Sequence, residues 1–358
     1  MANNIVNYSD RINELLDKMP DFVTDFIFNF RDSDNPSTML QYSRDIYDFL
    51  SFLVYNHADF DGLAIKEITL EDLSKLKALD INRYLTRIRS TRDRRYKKVR
   101  TDIKEKNEVP QKHNDSTVKR LRATLSSMFS YFITSGKLAA NPAAATRQKK
   151  LAEKKLIYLT NEQQAMLLDE VRSGANLAGK AAAHHERFVV RDLAMILLLL
   201  DTGLRVSEML STDIGDYNFD DCSVLVIRKG GDQDIVYYSD ECAACLQEYF
   251  SAQLAKYDMD SDHIPAFTTL KGERLGVRAV EILVKKYAVA GLGSTLGQTI
   301  TPHKLRSSFA MSFYAASDKD ILLLKEKLHH SSINTTNIYA KAAPGKKADT
   351  RNLLQGLR

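Results

Sequence analysis

Six side chains in the second half of the chain have types and neighbours suited to work on a phosphate: Arg205, Lys229, His303, Arg306, His330 and Tyr339. They stand in the strings TGLRVSE, RKGGDQD, TPHKLRSSFA, LHHSSINTT and TTNIYAK. Arginine stays charged and offers a planar fork that matches two phosphate oxygens, so lysine at 205 or 306 would not be equivalent. Fixed cationic donors of this kind stabilise negative charge as it builds on phosphoryl oxygens. His303 lies three residues before Arg306, which on a helix puts both side chains on one face. Its imidazole can give or take a proton near neutral pH. Taken singly, each residue has an ordinary reading. Arginines at helix ends commonly pair with a carboxylate, and Glu208 is within reach of Arg205; Lys229 alone is a turn lysine. Tyr339 is one of 16 tyrosines, and a tyrosine on an amphipathic helix is usually half-buried packing. Joint occurrence is what makes the set specific.

The elements that must position these residues can be read from apolar spacing. LTNEQQAMLLDEV reads as a helix capped by Thr160, and the apolar helix Phe188 to Leu200 ends near Gly203. Two β-type runs, Ser223 to Arg228 and Ile235 to Tyr238, flank KGGDQD and predict a hairpin with Lys229 at the start of its turn. Beyond Asp240 the pattern is mainly helical. Upstream, helical spacing marks residues 38–56 and about 81–89. Ser116 to Ser135 reads as a helix capped by Ser116 and stopped by Gly136, with Leu121, Leu125, Met128, Phe129 and Phe132 on one face and Lys119, Arg120 and Arg122 on the other. Residues 91–115 read as a flexible or partly helical connection. The predicted architecture is mainly α with a small antiparallel β-sheet: an N-terminal helical domain over 1–142, a linker over 143–157 and a second domain over 158–358.

In this order and at these spacings the strings resemble the tyrosine recombinase (phage integrase) family. The likeness covers nearly all of 156–345, and the 116–135 helix followed by Asn141 and Pro142 fits the family's helical, SAM-like core-binding domain. The long N-terminal region and the RKGGDQD turn look most like Xer-type recombinases of the streptococcal kind, which act as one protein. The resemblance implies a site-specific recombinase that cuts and rejoins DNA through a 3′-phosphotyrosine and a Holliday junction. In that scheme Arg205 and Arg306 hold the phosphate, Lys229 protonates the departing 5′ oxygen, His330 supports the phosphate or the nucleophile, and Tyr339 is the nucleophile. The family commonly has glycine where this chain has His329, leaving open which of the two histidines meets the phosphate, though SSINTT sets the register that matches His330. Histidine is common where Ser307 stands. The resemblance further implies a homotetramer on two double-stranded DNA sites, with the C-terminal tail (Leu353, Leu354, Leu357) exchanged between subunits. Type IB topoisomerase-like relaxation and a catalytically inactive DNA-binding protein are the alternatives. Chromosome dimer resolution and integration or excision of a mobile element stay equally open.

Composition fits a DNA partner. Residues 1–82 hold 15 acidic and 7 basic residues, whereas 83–122 hold 15 basic and 5 acidic. Such a segregated positive field suits a polyanion. Arg92, Arg94, Arg95, Lys97, Lys98 and Arg100, together with Lys119, Arg120 and Arg122, are the predicted DNA contacts, the plainer reading being a solvated charged face. The longest apolar stretch, Leu193 to Leu200, is too short to cross a bilayer. No secretory leader pattern opens the chain, so no membrane role and a cytoplasmic location are expected. Three cysteines, Cys222, Cys242 and Cys245, argue against a disulfide framework, and the C-x-x-C pair lacks a second ligand pair, so no metal is expected. A phosphotyrosine keeps the energy of the broken bond, and no G-x-x-x-x-G-K-[ST] loop occurs, so no cofactor is expected.

Overall fold

The computed structural model describes residues 2–29, 35–89, 115–146, 155–228, 231–255, 263–330 and 332–343. The chain divides into two compact units, Met1–Glu153 and Lys154–Arg358. The first is helical: α1 (Ala2–Leu16), α2 (Asp21–Asn29), α3 (Pro36–Asn56), α4 (Leu70–Ser74), α5 (Ala78–Arg89) and α6 (Asp115–Thr134). Asn35 caps α3 by accepting from the Ser37 and Thr38 amides, and Pro36 takes the first turn, where its missing N–H costs nothing. The apolar stripe of α6 meets Phe26, Phe49 and Leu53 in one continuous core. Ser116 lies inside α6, one residue past its start, and is not the cap predicted from sequence. Gly136 does end the segment: at φ +72° it lets the chain turn so that the Lys137 and Leu138 amides reach back to the Phe132 carbonyl.

The second unit contains α7 (Asn161–Ser173), α8 (Lys180–Ala183), α9 (His185–Thr202), α10 (Val206–Ser211), the strands β1 (Tyr217–Asn218), β2 (Ser223–Ile227) and β3 (Gln233–Tyr237), and then α11 (Asp240–Leu254), α12 (Val277–Gly297), α13 (Pro302–Ala316), α14 (Ile321–Lys327) and α15 (Ile333–Ala342). Thr160 and Gln163 form a reciprocal cap at α7. The sheet is antiparallel in the order β1-β2-β3, with Leu225 opposite Ile235 and Ile227 opposite Gln233. Val224, Val226 and Val236 point into the core, while Leu225, Ile227, Ile235 and Tyr237 face outward, the period-two alternation of a half-buried sheet. A long apolar α9 runs through the main core. A smaller core joins α13, α14 and α15 through Phe309, Tyr314, Leu324, Leu328 and Tyr339.

Of the predicted linker, Ala143 packs in the first unit's core and Leu156 against the second unit's smaller one, as does Tyr158 just beyond it. Cys242 is buried on α11, where its surroundings push the thiol pKa well up, as suits a packing residue. Among the described residues no group of ligating side chains could hold a metal ion, and no helix is long and apolar enough to cross a membrane.

Candidate active site

Arg306 is the hub of the site. It sits on the first half of α13 and is only 2% exposed. One terminal nitrogen donates to the Gly203 carbonyl at 2.5 Å and the other to the Leu328 carbonyl at 2.6 Å. Those carbonyls lie two residues before Arg205 and two residues before His330, so one guanidinium ties three separate strings together. The approach needs glycine at 203. This residue ends α9 at φ +63°, and a Cβ there would stand 2.2 Å from the Phe309 ring of α13. Burial and then the Arg205 charge pull the Arg306 pKa down to about 10, which leaves it cationic at neutral pH.

Arg205 stands at the N-cap of α10. Its guanidinium donates to Glu208 at 2.6 Å and its backbone amide to the other carboxylate oxygen at 2.9 Å. That second oxygen also takes a 2.9 Å bond from Arg228, whose side chain is 1% exposed and holds Asp234 at 2.8 Å as well. Burial opposes the Glu208 charge, but the Arg205 amide and the two guanidinium groups outweigh it and keep the carboxyl below its ordinary value. Arg228 was not among the residues singled out from sequence. The signal was nonetheless there: it continues the inward register of Val224 and Val226, and a charged residue on a buried register requires partners. Its backbone also closes the turn, donating to the Asp232 carbonyl at 2.7 Å and accepting from Gly231 at 3.0 Å. Lys229 lies outside the described residues.

The two histidines following Leu328 part company. The backbone of His329 is left-handed, at φ +48°, a conformation glycine adopts without cost. Its amide and that of His330 bond back to Glu326 and Lys325, which finishes α14. The His329 side chain points to Asp232 at 3.6 Å. His330 instead turns toward the arginines, with its Nδ1 3.0 Å from the hydroxyl of Thr336 on α15. Burial, then Arg306, Arg205 and His303, lower its pKa to about 4. His303 is more open to solvent, and partial burial followed by Lys304, Arg306 and Arg205 holds it below its usual value. Both rings are therefore neutral at pH 7. Tyr339, 2% exposed, packs on α15 between α13 and α14. Burial raises its pKa, while the Ser307 hydroxyl and the Arg306 charge work in the opposite direction. The phenol thus rests protonated, beside groups that favour its anion.

Five of the predicted residues, Arg205, His303, Arg306, His330 and Tyr339, accordingly fall within one electrostatic neighbourhood. A cavity of about 690 Å³ opens beside them, lined in part by Arg205, Asp232, Lys325, His329 and His330. A model of the phage integrase family matches residues 159–346, more than half of the chain. The chain belongs to the phage integrase family. These proteins are the tyrosine recombinases, site-specific DNA recombinases by family activity. Among curated relatives, tyrosine recombinase XerC of Caldanaerobacter subterraneus subsp. tengcongensis is 26% identical over 331 residues, covering 90% of this chain and 83% of that protein. Tyrosine recombinase XerS of Lactococcus lactis subsp. cremoris is 26% identical over 325 residues, covering 85% of this chain and 86% of the relative. Two solved structures share the fold. XerH site-specific recombinase bound to a palindromic difH substrate aligns with a TM-score of 0.60 at 18% identity, over 89% of this chain and 80% of the other. The Tn1549 transposon integrase in complex with a circular intermediate DNA aligns at 0.63 and 17%, over 94% and 98%.

The predicted DNA contacts of the first unit divide differently. Residues 92–100 lie outside the described residues. On α6, Arg120 pairs with the buried carboxylate of Asp45, which also accepts from Thr124 and Gln41, each at 2.9 Å. Arg122 donates to the Thr146 hydroxyl at 2.6 Å and to the Ala144 carbonyl at 2.8 Å. Both have internal work. Lys119 is exposed and has no ion pair among the described residues.

Proposed function

We propose that this tyrosine recombinase cleaves DNA by attack of the Tyr339 phenol on a phosphodiester held by Arg205 and Arg306. The carrying observation is the convergence of Arg205, His303, His330 and Tyr339 around the buried Arg306 guanidinium. In the forward step the phenol oxygen bonds to phosphorus as the bond to the 5′ oxygen breaks. The phenol gives up its proton, with neutral His303 as the acceptor, and the departing oxygen takes one from Lys229. Negative charge on the non-bridging oxygens is met by the two guanidinium groups, which are already fixed before substrate arrives. The 3′-phosphotyrosine is itself a phosphodiester. A 5′ hydroxyl from a second strand can reverse the chemistry, releasing the phenol without any outside energy source.

Two rounds of exchange between paired sites would pass through a Holliday junction. A homotetramer on two duplexes, with residues 344–358 of each subunit docked on a neighbour, supplies the symmetry for this. The reading places the protein in the cytoplasm with chromosomal or mobile-element DNA as substrate. The test uses nicked duplexes tiled from the DNA flanking the gene, in which loss of a short 5′ fragment prevents religation. Wild type should accumulate a covalent adduct on one of them and Tyr339→Phe none; adduct formation by the phenylalanine variant would overturn the assignment. Removal of residues 344–358 should keep DNA binding and lose synapsis, as read by native gel shift and recombination of paired sites.

A further inference from the structure

His330 has a neutral ring at physiological pH, so it carries one N–H, and its role depends on which nitrogen holds it. With the proton on Nε2 it donates; with the proton on Nδ1 it presents a lone pair and acts as a base. The answer is written in Thr336. That side chain is fully buried, and a threonine hydroxyl has one hydrogen to donate. On a helix this hydrogen commonly goes back to a carbonyl of the preceding turn. Here it does not: among the described residues the sole hydrogen-bond partner of the hydroxyl is Nδ1 of His330, at 3.0 Å. If Nδ1 carried the proton, the ring would donate and the buried threonine hydrogen would be stranded, which costs the full desolvation of an unsatisfied buried donor. A hydroxyl that donates to Nδ1 satisfies both groups.

We propose that Thr336 is a positioning residue for His330: its hydroxyl donates to Nδ1, locks the ring as the Nε2–H tautomer and makes His330 a hydrogen-bond donor to the phosphate. Nε2 has no protein partner among the described residues, and the ring lines the same cavity as Arg205. His330 therefore joins the arginines as a third donor to the phosphoryl oxygens and is not the proton acceptor for Tyr339. Thr336 stands three residues before Tyr339 on α15, so the helix that carries the phenol also sets the tautomer of the donor. Removing the hydroxyl frees the ring to populate both tautomers.

This consequence for cleavage rests on the proposed strand-transfer chemistry, whereas the tautomer itself does not, and two measurements separate them. In the first, full-length protein labelled with 15N-histidine is examined by two-bond 1H–15N correlation at pH 7.5, the His330 signal being the one lost in His330→Gln. A protonated Nε2 and bare Nδ1 are expected in wild type and Thr336→Ser, and a tautomer mixture in Thr336→Val. A protonated Nδ1 in wild type overturns the proposal. In the second, single-turnover adduct formation on the nicked duplex should fall about tenfold in Thr336→Val, less than the 10²–10³ that outright loss of an oriented donor costs. Thr336→Ser should stay within about threefold, with DNA affinity unchanged in both. In a His330→Gln background Thr336→Val should cost nothing more. A loss of the same size in that background, or none in wild type, overturns the positioning role. If wild type forms no adduct on any duplex, the recombinase reading fails while the NMR result still decides the tautomer.

Discussion

Arg120 in the first unit and Arg306 in the second are both held by bonds from within the fold, yet they are held by opposite kinds of partner. Arg120 is anchored on the carboxylate of Asp45, which cancels its charge as it fixes its place. Arg306 is anchored on two carbonyl oxygens, which orient it without neutralising it. Arg205 is intermediate: Glu208 neutralises it in part, because the same carboxylate is shared with Arg228, which itself also pairs with Asp234. A carboxylate anchor builds structure, whereas a carbonyl anchor leaves a cation free to meet an anion. Counting basic residues on a helix face cannot tell the two apart.

Changing both arginines to lysine should separate the two kinds of anchor most strongly. Arg306→Lys keeps a positive charge but cannot span the Gly203 and Leu328 carbonyls, and adduct formation should fall by about 10²–10³ or more in a single-turnover assay. Arg120→Lys should leave the rate at saturating DNA unchanged and lower only the urea midpoint of the first unit. Equal losses in the two would remove the distinction.

Next in size is Arg228→Met. Removing one partner from a buried charge cluster costs on the order of 3 kcal/mol, so the second unit's thermal midpoint should fall. Cleavage should drop with it, because Glu208 loses the contact that steadies it beneath Arg205. An unchanged rate in a destabilised protein would reduce Arg228 to a packing role.

A smaller effect concerns acid. The folded His330 pKa of about 4 lies below its ordinary 6.5, so folding favours the neutral ring. That stabilisation is complete above pH 6.5 and is lost as pH falls toward 4. Urea titrations over this range should show wild type losing more stability than His330→Gln, and parallel curves would refute the burial of a neutral ring. Smallest of all, Lys119→Ala should reduce the slope of log affinity against log salt by about 1 without affecting cleavage at saturation. A steeper loss for Arg120→Ala than for Lys119→Ala would show that the Asp45 pair opens on DNA.

Much of this was legible in the chain itself. The strings around Arg205, His303, Arg306, His330 and Tyr339 stand out by residue type and order, and they meet because α13 packs into both the main and the smaller core while Arg306 on it bonds to the ends of α9 and α14. The caps Thr160 and Gly203 and the β2–β3 hairpin were readable from local chemistry alone. Glu208 was visible as a partner for Arg205, but not its second bond to Arg228, because that contact joins positions 20 residues apart and no local pattern encodes such a distance. Ser116 was misread for a related reason: a serine before an apolar run is a common cap, and Asp115 beside it begins the helix. Arg120 and Arg122 read as a solvent-facing basic pair because their internal partners, Asp45 and residues 144–146, lie far away in sequence or beyond the helix end.

The bonding of Arg306 also constrains how a substrate can arrive. A guanidinium has five N–H donors, and the Gly203 and Leu328 carbonyls take one from each terminal nitrogen. Among the described residues that leaves one hydrogen on each terminal nitrogen and the one on Nε. On the proposed reading the phosphate docks against those unspent hydrogens, so the fold has settled its direction of approach in advance, as a socket admits a plug in one orientation.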